Sequence, residues 1–190
     1  MIITPETLVD KELSTCNELL QLDIRLHVRK PSWSFDQTKE YLTQLDSQCY
    51  SKISLHQHHE LVNEMDLGGI HWKSNQQVIS SGQMINSKSF HSFKEIRDES
   101  HTLAYGFLSP IYDSISKDNY QSQFDLNELK EEFEKGTPFP IYALGGVTLD
   151  DLATLRAIGF KGAVLLGSFW IDGEYERHLN LLKHITHGNC

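Results

Sequence analysis

Apolar stretches rich in β-branched and aromatic residues recur at fairly even spacing along this chain, and the apolar positions between several of them follow a helical period. The strand-like stretches are residues 1–3, 24–28, 53–55, 69–72, 83–85, 105–108, 141–144 and 163–166. Between the first two, Leu13, Leu19 and Leu20 with nearby charges read as an amphipathic helix. Residues 125–135 repeat that pattern through Leu126, Leu129 and Phe133. Residues 149–158 do so again, with Thr148 as the expected N-cap and Gly159 as the stop. Strands alternating with helices predict parallel pairing and right-handed crossovers. Eight strands predict an α/β chain of the (β/α)8 TIM-barrel class, with an open doubly wound sheet as the alternative. Small barrels have about 200 residues, so a chain of 190 must keep some helices short or lose them. No linker or low-complexity stretch divides it, and one domain over 1–190 is expected. The polar segment 118–122 reads as a surface loop.

Composition narrows the function classes. Hydrophobic content of 39% and charged content of 23% are ordinary for a globular protein. A mean hydropathy of -0.39 and the lack of a long apolar run argue against a spanning helix. The start of the chain shows no basic stretch followed by an apolar one, so no secretory signal is expected. Cys16, Cys49 and Cys190 are scattered and odd in number, which suits a reducing cytoplasm better than a disulfide framework or a zinc pattern. The net charge of -9 would repel nucleic acid and anionic lipid, so neither is an expected partner. Phosphate can still be held by a few converging cations and backbone N–H groups.

Parallel barrels gather their chemistry at the C-terminal ends of the strands. The second candidate strand ends in His27, Arg29 and Lys30, where alternation turns His27 and Arg29 to one face. Arginine suits a bidentate anion contact, and an exposed basic strand end is the alternative. The third ends in His56-Gln57-His58-His59-Glu60, either a transition-metal cluster or a polar turn. Pro110 follows the sixth and leads to Ser114, Ser116 and Lys117, two hydroxyls and a mobile cation that suit a diphosphate as well as they suit an ordinary polar loop. Gly145 and Gly146 follow the seventh, and Gly167 and Ser168 the eighth. Barrels often place a phosphate site at the loops after strands seven and eight. A tight turn is the other reading of the paired glycines.

Taken together, Leu26-His27-Val28-Arg29, Gly69-Ile70-His71, Ser89-Phe90-His91-Ser92, Ser109-Pro110-Ile111-Tyr112 through Lys117, Ala143-Leu144-Gly145-Gly146 and Gly162 through Ser168 resemble the thiamine phosphate synthase and TenI family, over about Ile24 to Trp170. The resemblance implies a cytoplasmic transferase of thiamine biosynthesis. It would join 4-amino-5-hydroxymethyl-2-methylpyrimidine diphosphate to a thiazole phosphate, or its carboxylate, with release of diphosphate. By position, Arg29, Ser114, Ser116 and Lys117 match diphosphate contacts and Ser89 a serine near the pyrimidine, while Gly146, Gly167 and Ser168 match the thiazole phosphate cradle. His27, Lys30, His56, Pro110 and Gly145 complete the expected substrate-binding set. The resemblance also implies Mg2+ as cofactor, but the chain departs from the pattern there. His27 stands where the family has glutamine, Pro31 where it has lysine, and His56-Gln57 where it has Asn-Asp. A second aspartate falls near Gln76. Metal ligands therefore stay unassigned. A TenI-like thiazole tautomerase is an alternative, although that branch carries a histidine proton shuttle where this chain has Pro110. A non-catalytic thiazole phosphate-binding protein is the third reading, and a homodimer is left open.

Overall fold

The computed structural model describes residues 1–22, 24–79, 84–113, 124–171 and 175–187. Along the chain run β1 (Ile2–Ile3), α1 (Glu12–Gln21), β2 (Leu26–Val28), α2 (Phe35–Thr43), a 3-10 helix (Ser47–Lys52), β3 (Ile53–Leu55), α3 (Glu60–Glu64) and β4 (Gly69–Trp72). They are followed by β5 (Ile85–Phe90), α4 (Phe93–Asp98), β6 (Tyr105–Leu108), α5 (Leu126–Glu134), β7 (Ile141–Ala143), α6 (Leu152–Ile158), β8 (Gly162–Ala163) and α7 (Tyr175–His187). The strands form one sheet in chain order. β1 to β4 pair in parallel one after the next, as do β5 to β8. Alternation of strand and helix thus gives the parallel topology that the hydrophobic pattern predicts. Two helices are short, α3 with five residues and α4 with six, and no helix is found between β4 and β5 among the described residues. Among them, too, no helix is long and apolar enough to cross a membrane.

The chain groups into two compact units, Met1–Ile70 with Phe169–Cys190, and His71–Ser168. In the first, Ile2, Leu26, Val28, Ile53 and Leu55 from the strands and Leu19, Leu20 and Leu42 from the helices are at most 1% exposed. Helix α2 begins with a full capping box: Ser34 Oγ accepts the Gln37 N–H, and Gln37 Oε1 accepts the Ser34 N–H. Burial of Thr38, Tyr41 and Leu42 on one face then explains why this polar segment is helical. The C-terminal segment is tied to β1 of the same unit, since Trp170 Nε1 donates to the Ile3 carbonyl at 2.8 Å.

In the second unit Phe90, Phe107, Leu108, Ile141, Ala143 and Leu155 make the core. Several boundaries differ from the sequence expectation, β7 ending at Ala143 rather than 144 and β8 being Gly162–Ala163 rather than 163–166, and two of the differences have a visible cause. β5 covers Ile85–Phe90 and so runs on past the expected end at 85, because its polar side chains find partners across the sheet, while residue 83 lies outside the described residues. Helix α6 starts at Leu152 and not just after Thr148, because the Thr148 N–H and hydroxyl both donate to Asp151 Oδ2 at 2.8 Å. That closes a turn ahead of the helix, in which Thr148 is a donor and not a cap. Gly159 does end α6, with a φ of 131°.

Candidate functional site

In the first unit the register of β2 on β3 sets the chemistry. His27 lies opposite Ser54, so His56, two residues further on, returns to the same face as His27. Both imidazoles are buried, and His27 Nδ1 lies 3.1 Å from His56 Nε2 with the rings edge to face. Arg29 falls on that face too by alternation. Its backbone is fixed by Thr4, whose fully buried hydroxyl accepts the Arg29 N–H at 2.9 Å. Its guanidinium is about a third exposed (30%) and meets Glu6 Oε1 at 2.7 Å.

Lys30 behaves differently from the expectation that it contacts ligand. It is 0% exposed, and its ammonium reaches Glu12 at 2.8 Å, while Tyr41 donates its hydroxyl to the same carboxylate at 2.7 Å. Trp33 lies beneath the ammonium, 4.9 Å from ring centroid to Nζ. Glu12 also receives the Val9 N–H, so one buried carboxylate joins α1, α2 and the end of β2. Cys16 adjoins Tyr41 at 3.5 Å, and burial pushes its thiol up to about 12. A thiol held protonated in this way is inert. Burial likewise raises the Tyr41 phenol, which keeps it a donor.

Magnesium does not fit the residues at the positions where the family pattern puts its carboxylates. A hard cation takes oxygen ligands, mostly carboxylates. Here His56 offers a nitrogen already engaged with His27, Gln57 brings an amide, and Gln76 Oε1 accepts the Lys73 N–H. No step below is routed through that ion.

In the second unit the loop after β6 and the loop after β7 are bound to each other. The Ile111 and Tyr112 N–H groups donate to the Leu144 and Gly145 carbonyls, both at 3.0 Å, and Ser109-Pro110 is a cis peptide. Gly145 and Gly146 have φ of 90° and 67°. A Cβ on Gly145 would meet Pro110 Cα at 2.8 Å, and one on Gly146 the Asp113 carbonyl oxygen at 2.4 Å. The glycines are therefore needed both for left-handed backbone and for close approach. Gly146→Ala should cost about 2–3 kcal/mol from strain and displacement. Thermal unfolding should then move down by roughly 5–10 °C; an unchanged midpoint would show that the loops do not need this contact. Gly167 and Ser168 follow β8, and the Ser168 hydroxyl donates to the Val147 carbonyl at 2.5 Å, joining the turns after β7 and β8. Ser114, Ser116, Lys117 and the loop 118–122 lie outside the described residues.

His71, within β4 rather than at a strand end, is a further functional candidate. Its Nδ1 lies 2.9 Å from Ser87 Oγ and its Nε2 2.8 Å from Ser89 Oγ, and the ring stacks on Phe107. Ser89, expected near a pyrimidine, is thus half-buried and engaged by an imidazole. His91, which the tautomerase reading could use as an acid–base group, points Nδ1 to the Ser109 carbonyl at 2.9 Å.

Comparisons with known proteins bear on the family and the fold. Residues 1–169 match the family model described as thiamine monophosphate synthase. A thiamine-phosphate synthase of Listeria welshimeri is 28% identical over 124 residues, which are 61% of this chain and 60% of that protein. The chain thus matches less than two thirds of that relative's length. The structure is similar to a thiamine phosphate pyrophosphorylase from Bacteroides thetaiotaomicron, with a TM-score of 0.80, 28% identity and coverage of 98% of this chain and 96% of that one. A Pyrococcus furiosus thiamine phosphate pyrophosphorylase gives a TM-score of 0.79 at 16% identity, covering 98% and 94%, a likeness of fold alone. Eight parallel strands in chain order with the Bacteroides likeness give the (β/α)8 TIM-barrel fold class. The match spans most of the sequence and carries the family with it: this chain belongs to the thiamine monophosphate synthase family.

Proposed function

We propose that the chain is a synthase-like transferase that joins the aminopyrimidine diphosphate to a thiazole phosphate and releases diphosphate. The family match over residues 1–169 carries this reading. In the reaction the methylene C–O bond breaks and its electron pair leaves with diphosphate. The ring amino group supports the cation that remains, and the thiazole nitrogen supplies the pair for the new C–N bond. The protein's main work is then electrostatic, holding charge that builds on the leaving group with donors fixed in advance. Arg29, Ser114, Ser116 and Lys117 are the proposed donors, and Gly146, Gly167 and Ser168 the proposed cradle for the thiazole phosphate. Lys30, being buried against Glu12, supports this set from behind by fixing the chain next to Arg29.

An assay with both substrates, run with and without magnesium, tests the proposal. The expected result is thiamine phosphate and diphosphate in equal amounts. Thiazole phosphate binding without product would replace the transferase by a binding protein, a reading favoured by the absence of carboxylates at Gln57 and Gln76. Conversion of the thiazole carboxylate alone would replace it by a tautomerase.

Glu6 gives the proposal a second handle. Its carboxylate occupies the Arg29 guanidinium at 2.7 Å, where an incoming diphosphate would have to displace it. Exposed ion pairs contribute about 0.2–1 kcal/mol. Glu6→Gln should therefore tighten inorganic diphosphate binding, read by calorimetry, by about two- to fivefold. Unchanged affinity would remove Glu6 as a competitor.

A further inference from the structure

The end of β3 carries an imidazole and an amide, His56 and Gln57, where the family pattern has Asn-Asp. The sheet brings that imidazole to a second one. His27 on β2 and His56 just past β3 lie on one face, 0% and 8% exposed. Their backbones are fixed by strand-to-strand bonds. The Thr4 N–H donates to the His27 carbonyl at 2.9 Å, and the His56 N–H to the Val28 carbonyl at 3.2 Å. The facing nitrogens, His27 Nδ1 and His56 Nε2, are 3.1 Å apart, and the ring planes meet at 79°. Two nitrogens bound at about 2.0–2.1 Å to one tetrahedral ion lie roughly 3.3 Å from each other. A shift of about 0.2 Å therefore turns the hydrogen-bonded pair into a pair of ligands.

In the hydrogen bond one of the facing nitrogens holds a proton. In a complex both are bare, and the ring that gave up the proton carries it on its other nitrogen. A neutral pair makes that change by tautomerism alone, with no proton released. Magnesium does not drive it, because a hard cation takes oxygen and gains little from nitrogen. Imidazole suits zinc, copper, iron and nickel. We propose that His27 and His56 form a binding site for a divalent transition ion such as Zn2+, in place of carboxylate-held magnesium. Both ligands sit on hydrogen-bonded strands, which holds them ready for the ion. Two protein ligands leave positions for water or for the oxygens of an anion, as at reactive rather than structural ions. Arg29 lies two residues beyond His27 on the same face, about 7 Å along β2, so ion and guanidinium would share one diphosphate. His58, two residues past His56, spends its Nε2 on the Trp33 carbonyl at 2.9 Å and is not needed for the pair.

The test uses the full chain, freed of metal by a chelator and titrated with Co2+, whose visible bands report nitrogen ligation where Zn2+ is silent. One equivalent should give bands that Zn2+ abolishes and that a large excess of Mg2+ does not. His27→Gln and His56→Gln should each weaken Zn2+ binding by more than about tenfold, the least that loss of a mere supporting group costs. A chain with ten histidines also offers surface nitrogen, so His184→Gln, which removes an exposed imidazole, is the control and should change nothing. Unchanged affinity in both pair variants, an equal loss in His184→Gln, or displacement of Co2+ by Mg2+ would overturn the proposal. If the pair variants do not fold, side-chain nitrogen-15 spectra of the wild-type protein decide. Zn2+ should move His27 Nδ1 and His56 Nε2 together and leave an N–H on the other nitrogen of each ring. Resonances indifferent to Zn2+ overturn it equally. No substrate enters these measurements, and the proposal goes beyond the transferase reading. A chain that binds Zn2+ but makes no product would sink that reading and leave the ion site standing.

Discussion

Replacing Lys30 by methionine should destabilise the protein by about 3–5 kcal/mol, the usual loss when one member of a buried ion pair is removed. Lys30 and Glu12 have fully buried side chains, and the ammonium lies within hydrogen-bonding distance of both carboxylate oxygens. Methionine fills much of the lysine volume, so packing against Trp33 and Tyr41 survives while the charge does not. Glu12 would keep the Tyr41 hydroxyl and the Val9 N–H but lose its counter-ion in a site closed to water. For a chain of this size the melting midpoint should fall by roughly 6–20 °C. The double variant Glu12→Leu with Lys30→Met should recover most of that loss, because apolar replacement of a whole buried pair is often neutral or better. A Lys30→Met protein with an unchanged midpoint but weakened diphosphate binding would return Lys30 to the ligand and refute the buried-pair account.

The same lysine shows where sequence reading stops. Charged residues are mostly exposed, so Lys30 beside Arg29 reads as one more cation at a strand end. Its partner is 18 positions earlier, and only the packing of α1 on β2 brings them together. β3, β4 and β6 were legible to the residue because each is a short, mostly apolar run bounded by polar turns. β5 was misplaced for the opposite reason. Asn86, Ser87, Lys88 and Ser89 look like loop until Trp72, His71 and Glu99 are seen to satisfy them. His27 and His56 were each visible, but their pairing needs the register that sets His27 opposite Ser54. The capping box at Ser34 and Gln37 was present in the sequence as a signal for α2 and could have been read. His71 stands in the Gly69-Ile70-His71 segment, but its contacts had no local signal: its two serines lie 16 and 18 positions away on another strand.

Arg29→Ala should lower synthase turnover about 10²–10³-fold while leaving the fold in place, the scale expected when one fixed donor to a developing negative charge is lost. Two observations separate this residue from its neighbour. Its side chain is partly exposed and, among the described residues, salt-bridged at the surface to a Glu6 carboxylate that is itself 49% exposed. Such a pair contributes at most about 1 kcal/mol, so the melting midpoint should move by no more than roughly 2–4 °C. Its backbone is anchored independently, by the Thr4 hydroxyl that accepts its N–H, and truncation of the side chain leaves that bond untouched. Arg29→Lys should restore part of the rate, since a point charge at the same place still attracts diphosphate but cannot grip two oxygens at once. Glu6→Ala serves as the control, because it breaks the same ion pair without removing the cation. It should leave turnover intact, so that rate and ion pair are uncoupled. Equal loss of rate in Glu6→Ala and Arg29→Ala would mean that the pair acts as a structural staple; unchanged rate in Arg29→Ala would mean that the leaving group is held elsewhere.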